Sequence, residues 1–108
     1  MKDPLAAFLR HLAVERNASA HTLRSYRTDL DEFQRFLTSQ HADGLAAADA
    51  RVVRAWQAAL HAGGHAPASV GRKLAALRSC FRFLVRRGVM RANPAPEVRG
   101  PRQPRKLV

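Results

Sequence analysis

Apolar positions along this chain recur at intervals of three and four, and four separate stretches carry that rhythm. In the first, Leu5, Phe8, Leu9 and Leu12 fall on one helix face. Asp3-Pro4 supplies a cap and a first-turn proline before it, and the helix is expected to end near Arg16-Asn17. Ser19 then caps a longer helix with Leu23, Tyr26, Leu30, Phe33 and Leu37 along its inner side. Residues 39–48 read as a loop, after which Asp49 caps a third helix that turns Val52, Val53, Trp56, Ala59 and Leu60 inward and stops at Gly63-Gly64. The fourth stretch, 67–88, opens on Pro67 and closes on Gly88, with Val70, Leu74, Leu77, Phe81 and Leu84 as its apolar stripe.

No alternating apolar and polar run of strand length occurs, and Val, Ile and Thr are sparse beside Ala, Leu and Arg. The expected fold is all-α, a compact bundle of four main helices. A chain of 108 residues is one small domain, able to bury roughly two thirds of its unfolded surface. The expected division is a domain over 1–90 and a linker over 91–108, because the tail RGPRQPRKLV is polar, basic and broken by prolines. Extended at about 3 Å per residue, 100–108 would cover roughly 25 Å, about the width of a duplex. The absence of any closing element after the tail makes a larger parent protein the expectation.

Charge sharpens this picture more through its placement than through its total of +11. Residues 1–66 carry eight Lys/Arg against seven Asp/Glu, whereas residues 67–108 carry eleven against Glu97 alone. Such asymmetry points to nucleic acid or an anionic membrane. No apolar run is long enough to span a bilayer and the N-terminus lacks a signal-peptide layout, so a soluble, cytoplasmic protein is expected. On the fourth helix, Arg72, Ala75, Ala76, Ser79, Arg82 and Arg86 lie opposite the apolar stripe, and no acid occurs between Pro67 and Arg91. Small side chains flanked by guanidinium groups allow close approach to a polyanion. On the second helix Thr22, Arg24, Ser25 and Arg27 precede Asp29, Asp31 and Glu32, so only its N-terminal end suits phosphates.

Other chemistry is thin. Cys80 reads as a small buried apolar side chain, with no intramolecular disulfide available to it. Asn17-Ala18-Ser19 matches a glycosylation acceptor, without a secretory signal to give it meaning. His61 and His65 are four apart, but the glycines between them break the helix a metal pair would need, so no metal site is expected.

Three segments in order resemble the N-terminal core-binding domain of tyrosine recombinases of the XerC/XerD type, a SAM-like domain of the phage-integrase family. They are the E-R-x-x-S-x-x-T-L-x-x-Y-x-x-D-L run at 15–30, A-L-R-S-x-F/Y-x-F-L at 76–84, and Asn93-Pro94 before the basic linker. The likeness extends over about 5–107. It implies a four-helix domain that clamps one face of double-stranded DNA at half of a pseudo-palindromic site, working beside other protomers in a tetramer. By position it places Thr22, Arg24 and Ser25, with Ser69, Arg72, Ala76 and Ser79, at the major groove, and Arg82, Arg86, Arg102, Arg105 and Lys106 at phosphates. Arg72 is the first choice for a base, since an outward Arg can bond guanine O6 and N7 together.

The family's nucleophilic tyrosine and its assisting residues belong to a C-terminal domain outside this sequence, and Tyr26, on an apolar stripe, reads as core. The segment is therefore expected to bind DNA without cutting it, in DNA integration or recombination of the chromosome-dimer-resolution type. No cofactor, small molecule or membrane is implied. Two alternatives stand beside this reading. A helical protein–protein module would dock through the outer surface of the fourth helix or through Phe36 and Phe83, which fall off their helices' stripes. A stand-alone helix-turn-helix regulator would need a tight turn before its recognition helix, and 61–66 is longer than that. The hydroxyls of Thr22, Ser25, Ser69 and Ser79 are also open to a local capping role.

Overall fold

A computed structural model describes residues 2–42 and 44–95. Four helices run in order: α1 over Pro4–Val14, α2 over Ala20–Ser39, α3 over Ala50–Ala62 and α4 over Pro67–Arg86. No strand occurs among the described residues. Each of the first three helices starts on the cap its sequence announces. Asp3 accepts from the Ala6 amide at 3.0 Å, Ser19 from the Thr22 amide at 3.1 Å and Asp49 from the Val52 amide at 2.9 Å. Helix α4 has no side-chain cap and relies on Pro67 in its first turn.

The stops are equally local. Gly64 and Gly88 take φ of 83° and 76°. The residue after each donates back five positions, His65 to the Leu60 carbonyl and Val89 to that of Leu84. Both are left-handed glycine ends that satisfy otherwise orphaned carbonyls. Helix α1 ends at Val14, short of the expected Arg16-Asn17, and Asn17 takes the left-handed conformation that turns the chain into α2.

Helix α4 is the axis of the domain and packs on α1, α2 and α3. Its expected stripe of Val70, Leu74, Leu77, Phe81 and Leu84 is buried throughout. Phe33 of α2 stands edge-on to Trp56 of α3 and to Phe81 of α4, with ring centroids 5.0 and 6.1 Å apart. A second aromatic group joins the other side, where Phe8 of α1 meets Tyr26 at 5.6 Å and Phe83 at 5.7 Å.

Because α1 covers that second side, the buried arc of α4 is wider than one stripe, and elsewhere in the domain other expectations change as well. Phe83 is 5% exposed, not a free docking ring, and Phe36 is half-buried against the core. Ala76 is buried despite its place opposite the stripe. In α3 Ala59 is exposed where an inward position was expected. The loop over 39–48 contains a 3-10 turn, Leu45–Ala47, that drives Leu45 into the core.

Beyond Gly88 the chain folds back on α4. Met90 and Ala95 are buried, and the Asn93 side chain donates to the Arg78 carbonyl at 3.1 Å while accepting from the Ala95 amide at 3.0 Å. Arg102, Arg105 and Lys106 lie outside the described residues.

Candidate nucleic-acid interface

Two hollows adjoin where α2 and α4 run side by side, and Tyr26 lines both. The first is a notch of about 180 Å³ bounded by Ser25, Tyr26 and Asp29 from α2 and by Arg72, Ala75 and Ala76 from α4. Its small side chains leave room. The second is a cleft of about 100 Å³ whose rim carries Ser79, Arg82 and Arg86 of α4, together with Arg16 from the corner between α1 and α2. No acidic residue lines the cleft.

Ser25, Arg72 and Ala76 are thus brought together in the notch, and Ser79, Arg82 and Arg86 in the cleft beside it. Other expected residues are not part of either. Arg24 lies with Arg10 and Arg27 in a separate hollow on the α1 side of α2. Thr22 is engaged locally, accepting from the Ser19 hydroxyl at 3.0 Å, so its hydroxyl serves the helix start. Ser69 is half-buried in the first turn of α4 and lines neither hollow.

The electrostatics of the notch rest on a buried network that α2 and α4 build between them. Lys73 is 5% exposed at its side chain, and its Nζ donates to Asp29 Oδ1 at 2.9 Å and to Glu32 Oε2 at 2.6 Å. Arg72 Nη2 reaches the same Asp29 oxygen at 3.3 Å. Burial works against the Lys73 charge, but its hydrogen bonds to Glu32 and Asp29 and the nearness of their charges outweigh it and hold the ammonium above the ordinary lysine value. Two of the three acids along α2 are therefore paired with cations of α4, Asp29 buried and Glu32 partly exposed. Arg87 is also occupied, its guanidinium lying 5.1 Å from the centre of the Phe83 ring.

Sequence reasoning missed Arg16, which sits in the E-R pair of the first motif but reads as the end of a helix. It joins Arg82 and Arg86 only because the left-handed turn at Asn17 brings the α1–α2 corner over α4. Cys80 takes no part in the interface: it is fully buried, and desolvation pushes its thiol up to about 12. Among the described residues no group of His, Cys, Asp and Glu is arranged to hold a metal ion. No described helix is long and apolar enough to cross a membrane.

The helices and their order define an all-helical, SAM-like domain. Residues 5–88 match the family of the phage integrase N-terminal SAM-like domain. The chain belongs to that family. It is 39% identical over 100 residues to the tyrosine recombinase XerC of Xanthomonas campestris pv. campestris, covering 93% of this chain and 31% of that protein. The XerC of Alcanivorax borkumensis is 41% identical over 100 residues, with 93% and 32% covered. That of Pseudomonas aeruginosa is 39% identical over 107 residues, with 99% and 35% covered. The chain thus spans about a third of the length of the curated relatives it matches. No solved structure matches it.

Proposed function

We propose that this chain is the DNA-binding N-terminal clamp of a tyrosine recombinase of the XerC kind, and that it grips half of a pseudo-palindromic site through α2 and α4. The observation that carries the reading is the pair of adjoining hollows. One end presents an outward arginine beside small side chains, and the other gathers three arginines with no acid among them. A base-reading group next to a phosphate-holding group is the division of labour that sequence-specific DNA binding requires. Arg72 reads a base edge over the notch, and Ser25 and Ala76 shape the approach. Arg16, Arg82 and Arg86 hold phosphates, with Ser79 beside them, and Arg102, Arg105 and Lys106 continue the backbone contacts along a linker.

Within the parent protein, cutting and rejoining DNA falls to a separate catalytic domain, reached through the basic stretch that follows the segment packed on α4. Four protomers assemble on two sites, in recombination of the kind that resolves chromosome dimers in the cytoplasm. Tyr26 is left out of the chemistry, since its ring packs edge-on to Phe8 within the domain.

Fluorescence anisotropy tests the reading with the whole chain and duplexes at several salt concentrations. With six to eight phosphate contacts, affinity is expected to fall with a log–log salt slope of roughly −5 to −7. Absence of binding to any duplex at low salt would overturn the proposal.

A further inference from the structure

Asp29 has an unusual position for an acid at a surface meant for DNA. Its side chain is 4% exposed, yet it borders the notch, and one oxygen accepts from Lys73 within and from Arg72 at the rim. The Arg72 side chain is 58% exposed. A guanidinium carries several N–H donors in a fixed fork. Asp29 engages one Nη and leaves other donors of the fork available. An exposed arginine is among the side chains with most rotamer freedom to lose on binding, and a group oriented beforehand loses less.

We infer that Asp29 is a positioning residue for base recognition, holding the Arg72 guanidinium at the rim of the α2/α4 notch so that its free donors meet a purine edge. The inference rests on the proposed reading of the domain as a DNA clamp. Lys73 makes the arrangement possible, because it balances the carboxylate that would otherwise face phosphates uncompensated. Arg72, Lys73, Asp29 and Glu32 together carry two positive and two negative charges. This end of the surface therefore contributes geometry rather than net attraction, and attraction comes from the arginine cleft. Removing the Asp29 charge is then expected to lower discrimination between sequences without lowering non-specific affinity, since it leaves one more positive charge uncompensated at this end. A simple loss of basic surface would do the reverse.

The test begins with a duplex selected on the wild-type chain from a random pool, compared with a scrambled duplex at one salt concentration. Anisotropy gives the ratio of the two affinities for wild type, Arg72→Ala, Asp29→Asn and their combination, with thermal melts run alongside. A bidentate arginine–guanine contact is expected to give a roughly 10-fold or larger ratio in the wild type. Asp29→Asn should lose most of that ratio, and the combined variant should lose no more than Arg72→Ala alone.

Glu32→Gln weakens the support of Lys73 without touching Arg72, and it should keep the ratio. If Asp29→Asn does not fold, Asp29→Asn with Lys73→Met removes both buried charges together, and the same loss is expected. A full wild-type ratio in either Asp29 variant would overturn the inference. So would an equal loss in Glu32→Gln, or an Asp29 effect that adds to that of Arg72→Ala. Wild-type binding with no sequence preference would instead bring down base reading by the domain, and the inference with it.

Discussion

Near the start of α4, Arg72 and Lys73 face Asp29 and Glu32 across α2, whereas near its end Arg82 and Arg86, with Arg16, ring a cleft that no acid lines. Arg72, Lys73, Arg82 and Arg86 all lie on one helix that carries no acidic residue of its own. What separates them is the neighbour opposite: the middle of α2 offers carboxylates, and the corner before α2 offers another arginine. At the first end Lys73 is tied into the fold and Arg72 is held at the rim by Asp29, whereas at the second no acid lines the cleft that the arginines share. A net charge counted along a sequence cannot tell these two kinds apart, because an ion pair formed over more than forty residues of separation leaves no local mark.

The contrast can be broken most forcefully at Lys73. Lys73→Ala leaves Asp29 buried without its closest partner, and a loss of about 3 kcal/mol or more is expected from urea unfolding. An effect below about 0.5 kcal/mol, the size usual for a surface residue, would mean that the start of α4 is no better tied than its end. Phe83→Ala should follow closely, at about 3 kcal/mol, since the ring packs on Phe8 and His11. A neutral result there would restore Phe83 as a surface ring available for docking.

A smaller effect sharpens the comparison through pH. Cys80 is raised from 9.0 to about 12 by burial, and Lys73 lies above 10.5. In both cases the folded chain keeps a proton that the unfolded chain releases, so stability is fully present below the unfolded values and falls as pH rises past them. Urea midpoints are therefore expected to decline from about pH 9 upward, with Cys80→Ala removing the earliest part of the decline.

The smallest stability effects belong to the cleft. Arg16→Ala, Arg82→Ala and Arg86→Ala should each change unfolding by no more than about 0.5 kcal/mol. On DNA each should make the salt slope shallower by about 0.9 for every phosphate that the arginine had neutralised. An unchanged slope in all three would remove the cleft from the interface.

Much of the fold was legible because its signals are local. Asp3, Ser19 and Asp49 each act as the cap their position predicts, and Gly88 takes the left-handed turn that closes α4. The five stripe residues of α4 are all buried for the same reason, since a period near 3.6 maps directly onto one face. Part of the candidate surface was legible too: Ser25, Arg72 and Ala76 do meet in one notch, and Ser79, Arg82 and Arg86 in one cleft. Arg24 lies outside both hollows because a position in the first turns of α2 says nothing about which side of that helix α4 occupies.

By itself, then, the sequence determined the four helices, their caps and stops, the main apolar stripe of each and the concentration of positive charge after Pro67. These follow from interactions within a few residues, where backbone geometry and periodicity decide. Only the tertiary structure decided that α4 is covered on a second side by α1, which turned Phe83 from surface to interior, and that Ala76 is buried beside α2. It also decided that Lys73 is spent inside while Arg16 joins the arginines at the rim. Those outcomes depend on which faces meet across the bundle, and burial and ion pairing are properties of the meeting faces rather than of either helix alone.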